Sequence, residues 1–282
     1  MPELPEVEVL TRHLDPALRG KTIRAVNIHR AKSTRPTSAR AMRAKLVGAK
    51  FISVSRRAKY LLFQLKPLRR DPFTLLGHLG MTGRMYVQPA NAPLPKHAAA
   101  TFGLGRRTFV FEDTRYFGRL TLDLSSLDSL GPEPLSDAFN DAKLHAALSR
   151  STQAIKPKLL DQKTLAGVGN IYASEALWRA RISPRKSARR LTRAQCAALA
   201  ASIREVLAEA IACGSTVPLD FSGADRRDRI FYYGTTTGTQ GFEERLRVYN
   251  RADEPCDRCV TPIRKITQAA RSTYYCPQCQ RG

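Results

Sequence analysis

Four cysteines near the C-terminus, arranged Cys256-x-x-Cys259 and Cys276-x-x-Cys279 with sixteen residues between the pairs, have the spacing of a metal site. Two such knuckles on a β-hairpin bring four thiolates around one Zn²⁺ with tetrahedral reach; free thiols or a redox pair are the alternative. Four sulfur ligands leave no open position, so the expected ion is structural and not catalytic. The stretch EPCDRC also matches half of the zinc-deaminase signature, whose other half is His-x-Glu. None of His13, His29, His78, His97 and His145 has Glu two residues later, which excludes that chemistry. Cys196 and Cys213 stand apart and read as ordinary packed thiols.

The other end opens MPELPEVEVL. A small residue at position two lets Met1 be removed, leaving Pro2 as a secondary amine beside Glu3. That is either an ordinary helix start or a reactive terminus. Lys59 follows Arg56 and Arg57 at the head of a strand and by itself reads as a solvated basic edge. In HLGMTG and DTRYFG, Met81, Arg115 and Phe117 stand beside glycine turns. Exposed side chains of this kind can wedge into a base stack, although core packing explains a lone Met or Phe equally well. In GVGNIYASE, Asn170 begins a helix after Gly167 and Gly169, where unpaired N–H groups suit a phosphate or where Asn simply caps. Lys156 nearby and the overall charge favour the phosphate. LRGKT resembles the end of a phosphate loop, but the earlier Gly of that motif falls at Asp15, so it is dismissed.

These residues must be mounted on something. The chain has 282 residues, enough for two domains with separate cores, and 43% hydrophobic content suits a folded protein. Its formal charge of +23 calls for a polyanionic partner, nucleic acid first and an anionic membrane surface second. No apolar run approaches the roughly 20 residues of a membrane span, and the acidic start is not a secretory signal. A cytoplasmic, nucleoid-associated monomer with reduced cysteines is therefore expected.

LPEVEVLTRHLDPAL reads as a helix with Pro5 in its first turn and Val7, Leu10, Leu14 and Leu18 on one face. Asp15-Pro16 is expected to break and restart it, and Gly20 to end it. Seven runs follow, TIRAVNIH, KFISVSR, KYLLFQL, FTLLGHL, RMYVQ, RTFVFED and RLTLDL, which predict an antiparallel sandwich or barrel over about 21–124. Residues 125–140 read as a linker, and from Asp141 the pattern turns helical. In TRAQCAALAASIREVLAEAIACG, Thr192 and Gln195 form a capping box and Gly214 is the expected stop. A polar stretch beyond it reads as a mobile loop.

Taken together, PELPEVE, RRAKYLL, HLGM, TRYFG, LGPEPLSDAFN, AIKPKLLDQ, GVGNIYASE and the finger ending YYCPQCQ resemble, in order and over nearly the whole chain, the formamidopyrimidine-DNA glycosylase family. Leu4 and Met81 favour its oxidised-purine branch over the endonuclease VIII type. The resemblance implies an α+β fold of two domains. An N-terminal β-sandwich with a leading helix spans 1–124, a helix-two-turn-helix DNA-binding domain with a lesion-recognition loop spans 141–250, and a four-cysteine zinc-finger hairpin spans 251–282, with DNA held in the cleft. It implies a bifunctional glycosylase and AP lyase acting on double-stranded DNA with oxidised bases or abasic sites. The catalytic residues it implies are Pro2, which would attack C1′ and form a Schiff base, Glu3, which would move protons with Glu6 ordering the site, Lys59, which would contact phosphate and assist base release or elimination, and Arg271, which would reach from the finger into the flipped-out site and hold phosphates on both sides of the lesion. His97, Arg115, Lys156 and Asn170 would grip the backbone, and Met81, Arg115 and Phe117 would fill the gap left by the everted base.

Three departures from the family pattern stand out. Leu219 after Pro218 replaces the cation of the recognition loop, which puts 8-oxoguanine itself in question. The segment from Ser222 to Arg245 is long, and its Arg226, Arg227 and Arg229 offer substitutes. Tyr116 stands where a second Arg is common. A preference shifted towards oxidised pyrimidines, and a non-catalytic binder of distorted DNA, are the competing expectations.

Overall fold

The computed structural model describes residues 2–215 and 246–281. Met1, Pro218, Leu219, Arg226, Arg227, Arg229 and the Ser222–Arg245 stretch lie outside the described residues. These fall into two compact units, residues 2–128 and residues 129–214 with 246–281.

The first unit begins with helix α1, Leu4–Leu18, whose apolar face Leu4, Val7, Leu10, Leu14 and Leu18 is wholly buried. Contrary to expectation, α1 runs straight through Asp15-Pro16. Proline there removes one intrahelical hydrogen bond in the last turn, and the Asp15 carboxylate stays useful, accepting from Val54 N at 2.7 Å and pairing with Arg19 at 2.6 Å. Gly20, at φ +80°, then ends the helix as expected.

Two four-stranded antiparallel sheets lie beneath α1. One has the order β1 (Ala25–Ile28), β6 (Ala98–Gly103), β7 (Arg107–Asp113), β5 (Gly83–Pro89). The other runs β2 (Lys50–Arg57), β3 (Tyr60–Lys66), β4 (Phe73–His78), β8 (Arg119–Thr121). They are two sheets of a sandwich rather than a closed barrel. The inward residues, among them Phe51, Phe63, Phe102, Phe109 and Phe111, form one core with α1 and with helix α2 (Ala39–Leu46). Phe109 meets Phe51, Phe63 and Phe102 with ring centroids 5.5–6.2 Å apart. Strand β6 was absent from the runs read in the sequence. Its AAATFG has little β-branched character, yet it sits between β1 and β7 with Ala99 and Ala100 fully buried. Small side chains suit a strand covered on its faces.

One polar brace runs from α1 into the sandwich. Glu8 on α1 accepts from Arg56 Nε at 2.9 Å, and Arg56 Nη1 donates to Ala58 O at 3.0 Å in the β2–β3 turn. Burial would raise the Glu8 carboxyl, but the guanidiniums of Arg56 and Arg12 outweigh it and hold the group below the usual range.

In the second unit, helices α3 (Asp141–Leu148), α4 (Ile155–Leu160), α5 (Asn170–Arg179) and α6 (Arg193–Ser215) precede a two-stranded hairpin, β9 (Arg264–Gln268) and β10 (Arg271–Tyr275). The α6 capping box forms in both directions, Thr192 N to Gln195 Oε1 and Gln195 N to Thr192 Oγ1, each 3.2 Å. The helix does not stop at Gly214 but continues to Ser215. No helix among the described residues is long and apolar enough to cross a membrane.

The β9–β10 turn is Ala269-Ala270, at φ +46° and +57°. Both positions demand left-handed backbone, which costs an L-residue roughly 1–2 kcal/mol. Ala270 is exposed, so replacing it sacrifices no packing. Ala270→Gly is expected to stabilise the second unit by about 0.5–1 kcal/mol after the extra unfolded-state entropy of glycine is subtracted. The midpoint of denaturant unfolding checks this, and Ala270→Val should move it the opposite way.

Candidate active site

At the start of α1, Glu3 and Glu6 form a capping box, with Glu3 N donating to Glu6 Oε2 at 2.8 Å. Pro2, Glu3 and Glu6 are all buried, so the first residues are held rather than frayed. Pro2 thus stands at the positive end of the helix dipole. The Glu8–Arg56–Ala58 brace ties the first turns of α1 to the β2–β3 turn, which carries Lys59. Lys59 is not the solvated edge that its sequence context suggested: it lies in the turn and is 6% exposed. Opposite Tyr60, across the β3–β4 ladder, stands His78, with ring centroids 4.8 Å apart. Burial, then the charges of Lys59 and Arg119, pull the His78 pKa down to about 4, and its Nδ1 accepts from Gly80 N at 3.2 Å.

The two glycine turns expected to carry wedges are held by one fully buried carboxylate, Asp113, which sequence reading missed. It accepts from Thr82 Oγ1 at 2.6 Å, Arg115 N at 3.1 Å and Gly118 N at 2.7 Å. Thr82 adjoins Met81, so a single group fixes HLGMTG and DTRYFG together. Met81 and Phe117 are 40% and 48% exposed, and Arg115 lies over the Phe117 ring at 4.9 Å. These side chains are therefore presented outward and are not core. The signal was the Asp-Thr-Arg stretch itself, in which Asp bonds the backbone two residues on. His97 Nδ1 lies 3.3 Å from the Tyr116 hydroxyl. Tyr116, in place of the family's second Arg, receives the Arg30 guanidinium 4.9 Å over its ring, so a cation is returned to this position from beyond β1.

In the second unit, Asn170 is the first residue of α5 and its side chain does not cap the helix. Its Oδ1 accepts from Lys156 Nζ at 2.7 Å, and its Nδ2 donates to Ser272 O at 3.0 Å. Lys156 Nζ also donates to Ser272 O at 2.9 Å and Thr273 Oγ1 at 2.8 Å. Lys156, read from the sequence as a contact to the DNA backbone, is committed to protein acceptors in this structure. The residue is 1% exposed and its three ammonium hydrogens are directed at three protein acceptors, so it is an internal strut. What it fixes is the β10 backbone beside Arg271, whose side chain is exposed. Gln162 shapes the preceding turn, accepting from Gly167 N at 2.9 Å and donating to Val168 O at 2.9 Å.

Glu175, also missed in the sequence, lies on α5 and is 3% exposed. Its carboxylate accepts the backbone N–H groups of Arg247, Val248 and Tyr249 at 2.8–3.0 Å. Burial pushes this carboxyl up, and the three N–H groups pull against it. It anchors the first described residues after position 245.

The sulfurs of Cys256, Cys259, Cys276 and Cys279 lie within 4.8 Å of one another, with pair distances of 3.4, 3.4 and 3.9 Å for 259–276, 259–279 and 256–279. Tetrahedral Zn–S bonds of about 2.3 Å place sulfurs roughly 3.8 Å apart, so the four thiolates fit one structural Zn²⁺.

Comparison with known proteins agrees with this arrangement along the whole chain. Residues 1–120 match the formamidopyrimidine-DNA glycosylase N-terminal domain, 130–220 the H2TH domain of the same glycosylase, and 253–282 the zinc finger found in FPG and IleRS. A formamidopyrimidine-DNA glycosylase of Thiobacillus denitrificans is 40% identical over 288 residues, covering all of both chains. One from Thermus thermophilus is 40% identical, covering 99% of this chain and 98% of its own. A Lactococcus lactis FPG variant crystallised with Fapy-dG containing DNA superposes with a TM-score of 0.86 at 33% identity, covering all of both chains. MutM in complex with carbocyclic 8-oxo-G containing DNA gives 0.85 at 32%, again over both whole chains. Sandwich, helical unit and four-sulfur finger together define a base-excision DNA glycosylase. The chain belongs to the formamidopyrimidine-DNA glycosylase family.

Two expected outcomes follow from the geometry. His78 has a folded pKa below its unfolded value near 6.5, so the unfolded chain binds more protons between about pH 4 and 6.5. Stability should rise with pH across that window, and His78→Gln should flatten this part of a pH series of unfolding midpoints. Lys156→Met keeps the length but removes the ammonium from Asn170 Oδ1 and Thr273 Oγ1 and leaves Ser272 O with Asn170 Nδ2 alone. It should cost about 2–4 kcal/mol in denaturant unfolding.

Proposed function

We propose that this chain excises oxidised purines, formamidopyrimidines foremost, from duplex DNA and cleaves the resulting abasic strand, with Pro2 as nucleophile. The observation that carries the reading is the buried, capped start of α1, which fixes residue 2 beside two carboxylates and ties it to the turn bearing Lys59. Once Met1 is removed, the Pro2 nitrogen is a secondary amine. An α-amine titrates near pH 8, and the helix N-terminus and neighbouring cations favour its neutral form.

The neutral nitrogen attacks C1′ and the C1′–base bond breaks, its electron pair leaving with the base, which takes up the proton that the attacking nitrogen releases. Glu3 serves the sugar oxygen as proton donor while the ring opens to an iminium. The iminium acidifies C2′. Loss of that proton expels the 3′ phosphate, and a second elimination expels the 5′ phosphate. Lys59 is the phosphate-side cation in this scheme. In the second unit Arg271 supplies a donor fork for phosphates, held by Lys156 and Asn170. Met81, Arg115 and Phe117 occupy the space of the everted base, with His97 and Arg115 on the backbone. The protein acts as a cytoplasmic, nucleoid-associated monomer.

Leu219 supports a second reading, in which the lesion range extends towards oxidised pyrimidines at the expense of 8-oxoguanine. A Lactococcus lactis FPG bound to an oxidised-pyrimidine DNA, 31% identical to this chain, is in keeping with such breadth.

Borohydride should trap a covalent adduct between the chain and lesion-bearing duplex, and acetylating the Pro2 amine should abolish it. No adduct with any oxidised base or abasic site overturns the reading. Excision rates across a lesion panel separate the two preferences. Arg271→Ala should weaken binding to abasic duplex at least 10-fold while leaving the unfolding midpoint within about 0.5 kcal/mol, as expected for an exposed side chain.

A further inference from the structure

The chain has one tryptophan, Trp178, on the last turn of α5, and it is 6% exposed. Buried indole N–H groups need an acceptor, and most find oxygen. Here Nε1 donates to Cys256 Sγ at 3.4 Å, the sulfur of a zinc ligand. The Arg258 guanidinium covers the other side of this contact. Its carbon lies 3.8 Å from the ring centroid, Nη1 donates to Trp178 O at 2.8 Å, and Nη2 donates to Arg179 O at 3.3 Å. Trp178 packs with Val248, Ile263 and Tyr274 around the cysteines. The ring is therefore held among apolar side chains and under a cation, with its single polar atom aimed at sulfur.

We propose that Trp178 is an outer-sphere positioning residue of the metal centre. Its N–H holds the Cys256 thiolate in orientation and withdraws electron density from it, so that this ligand is slow to be oxidised or exchanged. Partners of this kind orient ligands, and their loss typically weakens metal sites 10–100-fold. A plain core aromatic would serve packing alone, and any apolar bicycle would replace it. The distinction lies in one hydrogen atom.

Because Trp178 is the sole tryptophan, a tryptophan analogue marks this position alone. The zinc-loaded full chain is prepared with 3-benzothienylalanine at 178, which keeps the bicyclic shape and puts sulfur where the N–H was. Zinc release into a chromogenic chelator is followed after hydrogen peroxide is added. About 10-fold faster release than wild type is expected, with Trp178→Phe at least as fast. Release at the wild-type rate from the benzothienyl chain overturns the proposal, since packing alone would then suffice. A measurement on the unaltered protein keeps the test independent of variant folding. Its one indole ¹⁵N–H resonance should exchange with solvent at least 100-fold more slowly in the zinc-loaded chain than after chelation. Equal exchange in the two states refutes the bond to the ligand.

Discussion

A buried ammonium needs compensation on every hydrogen, because an uncompensated charge out of water costs several kcal/mol. Lys156 meets that demand with Asn170, Ser272 and Thr273, acceptors from the start of α5 and from β10. The requirement is reciprocal. The ammonium cannot be buried unless helix and hairpin adopt this spacing, and without the ammonium Asn170 Oδ1 and Thr273 Oγ1 lose its hydrogen bonds while Ser272 O keeps only Asn170 Nδ2. Around that contact the rest of the second unit is arranged. Helix α5 meets the hairpin at Asn170, the segment 247–249 at Glu175 and the cysteine cluster at Trp178. A helix of ten residues thus serves as the shared mount of the finger.

The first unit uses carboxylates for the same purpose. Asp113 gathers three donors from two turns, while Glu8, through Arg56, fixes a third turn to α1. In each case a short acidic side chain converts flexible loops into defined positions for exposed residues. Both units therefore separate labour in the same way: buried ionic groups set geometry, and exposed side chains such as Met81, Phe117 and Arg271 are left to meet a partner.

Much of this could be read from the chain. The four cysteines declare their site by spacing alone, and the α1 face and most strands follow from apolar period and β-branched content. The exceptions share a cause. Strand β6 is rich in alanine, so local preference is silent about a segment whose state is decided by the neighbours on each side. Pro16 looked like a break, because the sequence does not show that Asp15 reaches Val54, 39 residues on, and holds the last turn in place. Lys156 and Lys59 read as surface cations since nearly all lysines are, and the acceptors of Lys156 lie more than a hundred residues away for Ser272 and Thr273. Asp113 and Glu175 went unnoticed because most of their donors are backbone groups, which carry no residue signature, and the side-chain donor Thr82 lies 31 residues from Asp113.

The brace from Glu8 through Arg56 to Ala58 has a consequence for the life of the chain before it is complete. Helix α1 is made first, yet the strands that receive it emerge later, so its tip gains a fixed aim only when the sandwich closes. Under the proposed chemistry the reactive nitrogen would otherwise be a loose electrophile-seeker, able to condense with any aldehyde it met. Alignment of the tip is thus coupled to assembly of the whole sandwich, so the direction of attack, unlike the nucleophilicity of the amine itself, belongs to the finished molecule.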